Sequence, residues 1–251
     1  MTDSAFRDNA ILLVAGKGER LKPHTDHLPK PMTEVGGVTI LQNALTNLAA
    51  FGVKRVYLVT GYMHEALMAH AREHASGMQI HEIYSAEYER TNNMYSLWLA
   101  RDILAGGCLL LEGDVFFAAD VLQALRDVPA DRSYWLADDF ARFRDGCMLQ
   151  TDANGVIEHL RIVRGDPPED FSHCYKSAGI LAIHPEAGRA FSRWLDEDVR
   201  RGRVQVYYDL VLADHLAEAR ISVLDIGGRK WLEIDDEADL QRAEALFAVA
   251  E

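Results

Sequence analysis

The sequence predicts an α/β fold: a mixed, mainly parallel sheet flanked by helices, with a small antiparallel lid inserted in its second half. Three features carry the prediction. Short apolar runs of buried-strand type alternate with segments of helical periodicity across residues 10–112, the order of a parallel sheet with right-handed crossovers. A glycine- and proline-rich loop, 16–37, follows the first of those runs directly. Later in the chain the pattern changes to hairpin-type strands. The 251 residues, 49% of them hydrophobic, suffice for one domain over 1–251, with the lid at roughly 134–215.

Each element has a local reason. Residues 10–15 (AILLVA) are continuously apolar, as a strand covered on both faces must be. Residues 39–51 place Ile40, Leu41, Ala44, Leu45 and Leu48 on one side of a helix. Residues 55–60 read as a strand, 63–75 as a helix and 78–84 as a third strand. Residues 93–104 put Met94, Leu97 and Trp98 on one helical face, and 109–111 form a fourth strand that runs into Glu112-Gly113-Asp114. Parallel sheets bind ligands beyond the carboxyl ends of their strands, so the loops at Gly16, Ser85 and Gly113 are expected to meet at one rim. Residues 147–151 and 156–163 flank Asp152-Ala153-Asn154-Gly155, a hairpin turn. The segment 166–170 (DPPED) is expected as an exposed loop. A strand at 175–183, helices at 185–200 and 208–218, short strands at 221–226 and 231–234 and a closing helix at 236–249 complete the chain.

Composition narrows the function. A formal net charge of -13 repels polyanions, so nucleic acid and anionic membranes are not expected as partners. A small anionic substrate would need a local basic pocket or a cation. No apolar run reaches the roughly 20 residues of a membrane span. The three cysteines, Cys108, Cys147 and Cys174, lack CxxC spacing, which argues against disulfides or a cysteine-rich zinc site. With a polar N-terminus lacking a signal-peptide pattern, a cytoplasmic location is expected. Oligomeric state is not readable.

The first loop carries the strongest chemistry. Val14-Ala15-Gly16-Lys17-Gly18-Glu19-Arg20 is followed by Leu28-Pro29-Lys30-Pro31. Glycines after a strand let backbone N–H groups approach a phosphate, and Arg20 and Lys30 add positive charge on either side. The loop is neither a Walker A loop nor a Rossmann GxGxxG. Gly16-x-Gly18 alone would equally suit a tight turn.

G-x-G-x-R followed by P-K resembles the nucleotidyltransferases that activate sugar phosphates and phosphocholine, and the resemblance extends over nearly the whole chain. Thr91-Asn92-Asn93-Met94-Tyr95-Ser96-Leu97, Glu112-Gly113-Asp114-Val115-Phe116 and Trp231-Leu232-Glu233-Ile234-Asp235 look like the CTP:phosphocholine cytidylyltransferase branch. The resemblance implies a Rossmann-like, glycosyltransferase-A-like sheet and a cytidylyltransferase. Such an enzyme would transfer CMP from CTP to a small phosphorylated amino-alcohol such as phosphocholine and release pyrophosphate. It further implies that Ala15, Gly16 and Gly18 line the nucleotide. Arg20 would hold the β- and γ-phosphates, Lys30 the α-phosphate, and Ala86 and Ser96 would lie near base and ribose, with Asn92 and Gly113 close by. Asp114 and Asp235 would bind Mg²⁺, a hard cation suited to carboxylate and phosphate oxygens.

Structural roles compete at several of these positions. A helix starting after Phe116 would be capped better by Asp120 than by Asp114. Asp236 with Asp239 makes a capping pattern and leaves Asp235 for the metal. For the acceptor, Tyr208, Asp209, Lys176, Trp231 and Glu233 supply carboxylates, a cation and aromatic faces. Tyr208 and Trp231 also suit the core, and Asp209 a helix cap. The resemblance implies an aromatic partner for choline around Gly146-Cys147, and this sequence has none there. An unmethylated amine, as in 2-aminoethylphosphonate, is therefore the alternative acceptor, with a sugar phosphate as another. A non-catalytic nucleotide-binding regulatory module is the alternative from a different class, and the joint presence of Arg20, Lys30, Asp114 and Asp235 argues against it. The D-x-D motif of glycosyltransferases is missing from 113–116. His70 and His74 have metal-ligand spacing on a helix, but with no third ligand evident a solvated face is expected. Asp138-Asp139 is read as solvent-facing charge, and Tyr134-Trp135 as core.

Overall fold

The computed structural model describes residues 5–165 and 170–248. The expected acidic loop at 166–170 therefore lies, apart from Asp170, outside the described residues. In chain order the elements are β1 (Asn9–Val14), the hairpin β2 (Glu34–Val35) and β3 (Val38–Thr39), α1 (Ile40–Phe51), β4 (Arg55–Thr60), α2 (His64–Glu73), β5 (Gln79–Tyr84), α3 (Asn93–Leu99) and α4 (Arg101–Ala105). There follow β6 (Cys108–Glu112), β7 (Val115–Phe117), α5 (Ala119–Gln123), β8 (Tyr134–Asp139), β9 (Gly146–Thr151), β10 (Ile157–Val163) and β11 (Cys174–Ile183). The chain closes with α6 (Pro185–Arg200), α7 (Tyr208–Ala213), α8 (Leu216–Ala219), β12 (Ser222–Asp225), β13 (Trp231–Glu233) and α9 (Glu237–Phe247).

A nine-stranded sheet runs β10-β9-β11-β6-β1-β4-β5, with β8 pairing β11 and β12 pairing β8. Its β6-β1-β4-β5 portion is parallel, as the alternating pattern predicts. β11 joins β6 antiparallel and then leads the sheet into β8, β9 and β10. The antiparallel part is thus an extension of the same sheet. Along β1, Ala10, Leu12 and Val14 face one apolar layer, packed by α1, α2 and α5. Ile11 and Leu13 face the other, packed by α3, α4, α6 and α7. Burial on both faces, with a period of two, is why the strand reads as an unbroken apolar run.

Helix ends follow local chemistry. Thr39 Oγ1 accepts from Gln42 N at 3.0 Å to open α1, and Asp236 and Asp239 form the reciprocal capping box that opens α9. Several expectations are corrected. The helix expected at 93–104 is cut at Ala100, whose N–H bonds Leu97 O at 3.0 Å in a tightened turn. The helix expected at 208–218 breaks at His215, whose ring stacks on Trp194. No helix begins at Phe116, which pairs with Leu232 in a two-stranded ribbon. α5 starts after Ala118, and Asp120 lies in its first turn without capping it. Asp138 is 1% exposed. Its carboxylate accepts from Trp231 Nε1 at 3.1 Å and Asp139 N at 2.8 Å and pairs with Arg142. Only Asp139 of that pair faces solvent. Tyr134 and Trp135 are core. Among the described residues no helix is long and apolar enough to cross a membrane.

Candidate active site

The loops after β1, β5 and β6 do meet at one rim. They enclose a cleft of about 450 Å³ lined by Ala15, Gly16, Gly18, Arg20, Lys30, Asn92, Ser96, Gly113, Asp114 and Asp235, together with Glu112 and Tyr88. Ten of the residues expected at a nucleotide or metal site are in that set. Gly18 has φ +66, and a Cβ there would stand 2.6 Å from Lys30 Cβ. Glycine thus lets the first loop lie directly against the lysine. Asn92 caps α3 by accepting from Asn93 N at 2.8 Å, which fixes the wall opposite the loop.

The electrostatic centre is Lys30. Its Nζ lies 2.9 Å from Asp114 Oδ2 and 2.7 Å from Asp235 Oδ1. Arg20 reaches the same Asp235 oxygen at 2.8 Å. Burial works against the charge on Lys30, but the two carboxylates outweigh it and raise its pKa. Asp235 is held below the usual carboxylate range: burial pushes it up, and Lys30 and Arg20 overcome that. The β7–β13 ribbon explains how residues so distant in sequence converge, since Glu233 pairs with Val115 and Ile234 N bonds Asp114 O at 2.9 Å.

A second, acidic group lies behind Glu112. Tyr208, fully buried, donates its hydroxyl to Glu112 Oε1 at 2.6 Å. Asp209 is buried on the next residue of α7, where Tyr207 holds the cap position, so Asp209 is not the helix cap. Lys176 is buried and reaches Glu233 Oε2 at 2.8 Å. Gly146 makes room for it, because a Cβ there would come within 1.9 Å of Lys176 Nζ. Burial raises the pKa of Glu112 far above the ordinary value, and Asp114, Asp209 and Glu233 push it further, against the Tyr208 hydrogen bond. Burial likewise raises Asp209 and Glu233, although Lys176 opposes it in both.

Some expected positions fall elsewhere. Ala86 is exposed and does not line the cleft; Tyr88 and Thr91 of the same loop do. Trp231 is 2% exposed with its N–H committed to Asp138, so it is a core residue and offers no face to a ligand. Glu112 had no role assigned from sequence. Its signal was a carboxylate closing a strand whose other residues are all buried.

The residues fit a divalent cation. Ligand atoms of Glu112, Asp114 and Glu233 lie within 4.8 Å of one another. Asp114 Oδ1 is buried with no hydrogen-bond partner among the described residues, an orphan acceptor that a cation would satisfy. Asp235, the other expected ligand, pairs with Lys30 and Arg20, and Lys30 pairs with Asp114 as well.

Comparison with known proteins agrees with this geometry. The chain is 35% identical to CMP-5'-(3-aminopropyl)phosphonate synthase of Streptomyces rubellomurinus over 98% of its own length but only 40% of that protein. It is 26% identical to 2-aminoethylphosphonate cytidylyltransferase of Lancefieldella rimae, covering 94% of this chain and 92% of the relative. The structure of CTP:phosphocholine cytidylyltransferase from Streptococcus pneumoniae superposes with a TM-score of 0.78 over 96% of this chain and 99% of that one. At 20% identity that likeness speaks for the fold alone. The nucleotidyl transferase family profile matches residues 9–137, which include every cleft residue named above except Asp235, and the chain belongs to that family.

Proposed function

We propose that the protein transfers CMP from CTP to an oxygen of a small phosphonate bearing a primary amine, an aminoalkylphosphonate, and releases pyrophosphate. The carrying observation is the acidic group beside the cationic cleft. Glu112, Asp209 and Glu233 crowd together, and Asp209 Oδ1 is buried without a hydrogen-bond partner among the described residues. A primary ammonium has N–H donors for such oxygens; a trimethylammonium has none and favours aromatic faces. The named relatives support the same acceptor class and the cytidine base. Phosphocholine, the first expectation from resemblance, thus becomes the second reading, supported by the shared fold and by 23% identity to the choline-phosphate cytidylyltransferase of Streptococcus pneumoniae over 95% of this chain.

In this reading the acceptor oxygen forms a bond to the α-phosphorus as the bond to the pyrophosphate oxygen breaks. Lys30 stabilises charge on the α-phosphate, and Arg20 with the Gly16–Gly18 amides holds the departing pyrophosphate. Bound Mg²⁺ would be held by Asp114 with Glu112 or Asp235 and would neutralise phosphate charge. The protein's own groups then align two anions that would otherwise repel. The three free thiols suit a cytoplasmic setting.

The test is pyrophosphate release from each of the four nucleoside triphosphates. The acceptors are 3-aminopropylphosphonate, 2-aminoethylphosphonate, phosphoethanolamine, phosphocholine and glucose 1-phosphate. CTP with an aminoalkylphosphonate should exceed every other pair at least tenfold in kcat/KM. Preference for phosphocholine or a sugar phosphate overturns the acceptor assignment, and no release with any pair identifies a binding module.

A further inference from the structure

The last turn of α2 brings three metal-binding side chains together outside the cleft. His70 and His74 stand four residues apart, so their imidazoles lie on one helix face. Their ring centroids are 4.5 Å apart and tilted. Glu73 completes a set whose ligand atoms all lie within 4.8 Å of one another. This is the third ligand that sequence reasoning found lacking. None of the three lines the cleft.

We propose that His70, Glu73 and His74 form a binding site for a borderline divalent transition metal such as Zn²⁺, Co²⁺ or Ni²⁺. Two imidazoles and one carboxylate suit these ions; Mg²⁺ prefers an all-oxygen shell. Around a tetrahedral Zn²⁺ with bonds of about 2.0–2.1 Å, ligand atoms stand about 3.3–3.4 Å apart. Side-chain rotation at the partly exposed His74 and the exposed Glu73 closes that gap. Three protein ligands leave one position to water.

A second feature is independent of the cluster itself. Thr39 Oγ1 lies 2.7 Å from His70 Nε2. That bond holds the ring through Nε2 and leaves Nδ1 as the nitrogen free to ligate, as outer-shell partners of ligating histidines do. Thr39 also caps α1, so the site joins the end of α2 to the start of α1.

The experiment is calorimetric titration of the full chain with ZnCl₂ in excess Mg²⁺, which masks the cleft carboxylates. One equivalent should bind. H70A and H74A should each weaken that step at least tenfold, and E73Q less, because its amide oxygen remains a weak ligand. CoCl₂ supplies a second readout. The wild type should give the intense visible bands of low-coordinate Co²⁺, and the H70A/H74A double variant should not. Circular dichroism checks that both variants fold, as side chains on this exposed turn allow. A double variant that keeps the tightest step, or a wild type with no saturable step, overturns the site.

Discussion

Lys30 stands between two carboxylates, Asp114 and Asp235. Its ammonium bonds Asp114 and Asp235 at 2.9 and 2.7 Å. If Asp114 and Asp235 hold a divalent ion, that ion and the ammonium would compete for the same carboxylates, and a triphosphate would offer the ammonium an alternative partner. Two consequences follow from the one position. Lys30→Met should lower kcat by about 10²–10³-fold, the usual effect of removing one donor to developing charge, as measured by pyrophosphate release under saturating substrates. The same variant, titrated with Mn²⁺ without nucleotide, should bind the ion at least tenfold tighter than wild type, because the competing ammonium is gone. Turnover at the wild-type rate would remove Lys30 from the chemistry. An unchanged Mn²⁺ affinity would show that lysine and ion do not share the two carboxylates.

Elements place these side chains, and the α9 N-terminus does so by hydrogen bonding. Asp239 Oδ2 accepts from both Asp235 N at 2.9 Å and Asp236 N at 3.1 Å, so the capping box also fixes the backbone that carries Asp235. Asp239→Ala should cost about 1 kcal/mol, the usual loss for a cap, read from the denaturant midpoint. It should also raise KM for CTP through a loosened Asp235; a stability loss with unchanged KM would separate cap from site. The capping box was legible because it is local: four consecutive positions define it. The first loop and α6 were legible for the same reason. What sequence reasoning missed depends on pairing at a distance. Asp120 looked like a cap only while Phe116 was taken for helix, and the β7–β13 ribbon makes that segment a strand. Asp138 looked solvent-facing because one of its partners, Trp231, arrives from β13, far along the chain. Trp231 looked like a ligand surface because that same hydrogen bond, which commits its N–H to the interior, cannot be read locally. Glu112 was passed over because a carboxylate at a strand end gains meaning only when Tyr208 and Asp209 arrive behind it.

For the molecule as a whole, charge is separated at short range. A chain of net charge -13 sets two cations, Arg20 and Lys30, at the cleft and, beside them, carboxylates raised by burial and mutual repulsion. The sign of the pH response follows. A carboxylate raised in the folded state binds its proton more tightly than in the unfolded chain. Its contribution to stability is therefore present below the ordinary value of about 4 and lost as pH rises through the folded value. A bound ammonium favours the charged form and reverses that loss. Binding of an aminoalkylphosphonate should accordingly release protons from this group, and its affinity should climb as pH rises through the raised values. The phosphonate also sheds a proton when it binds as the dianion, so the diagnostic quantity is a difference. Calorimetry in buffers of unlike ionisation enthalpy, at a series of pH values above the ordinary carboxylate value of about 4, should find fewer protons released by Asp209→Asn than by wild type. The pH dependence of its acceptor affinity should be correspondingly flatter. Equal proton release by the two proteins would mean that the amine does not meet these carboxylates, and the acceptor's charged end would then have to lie elsewhere along the cleft.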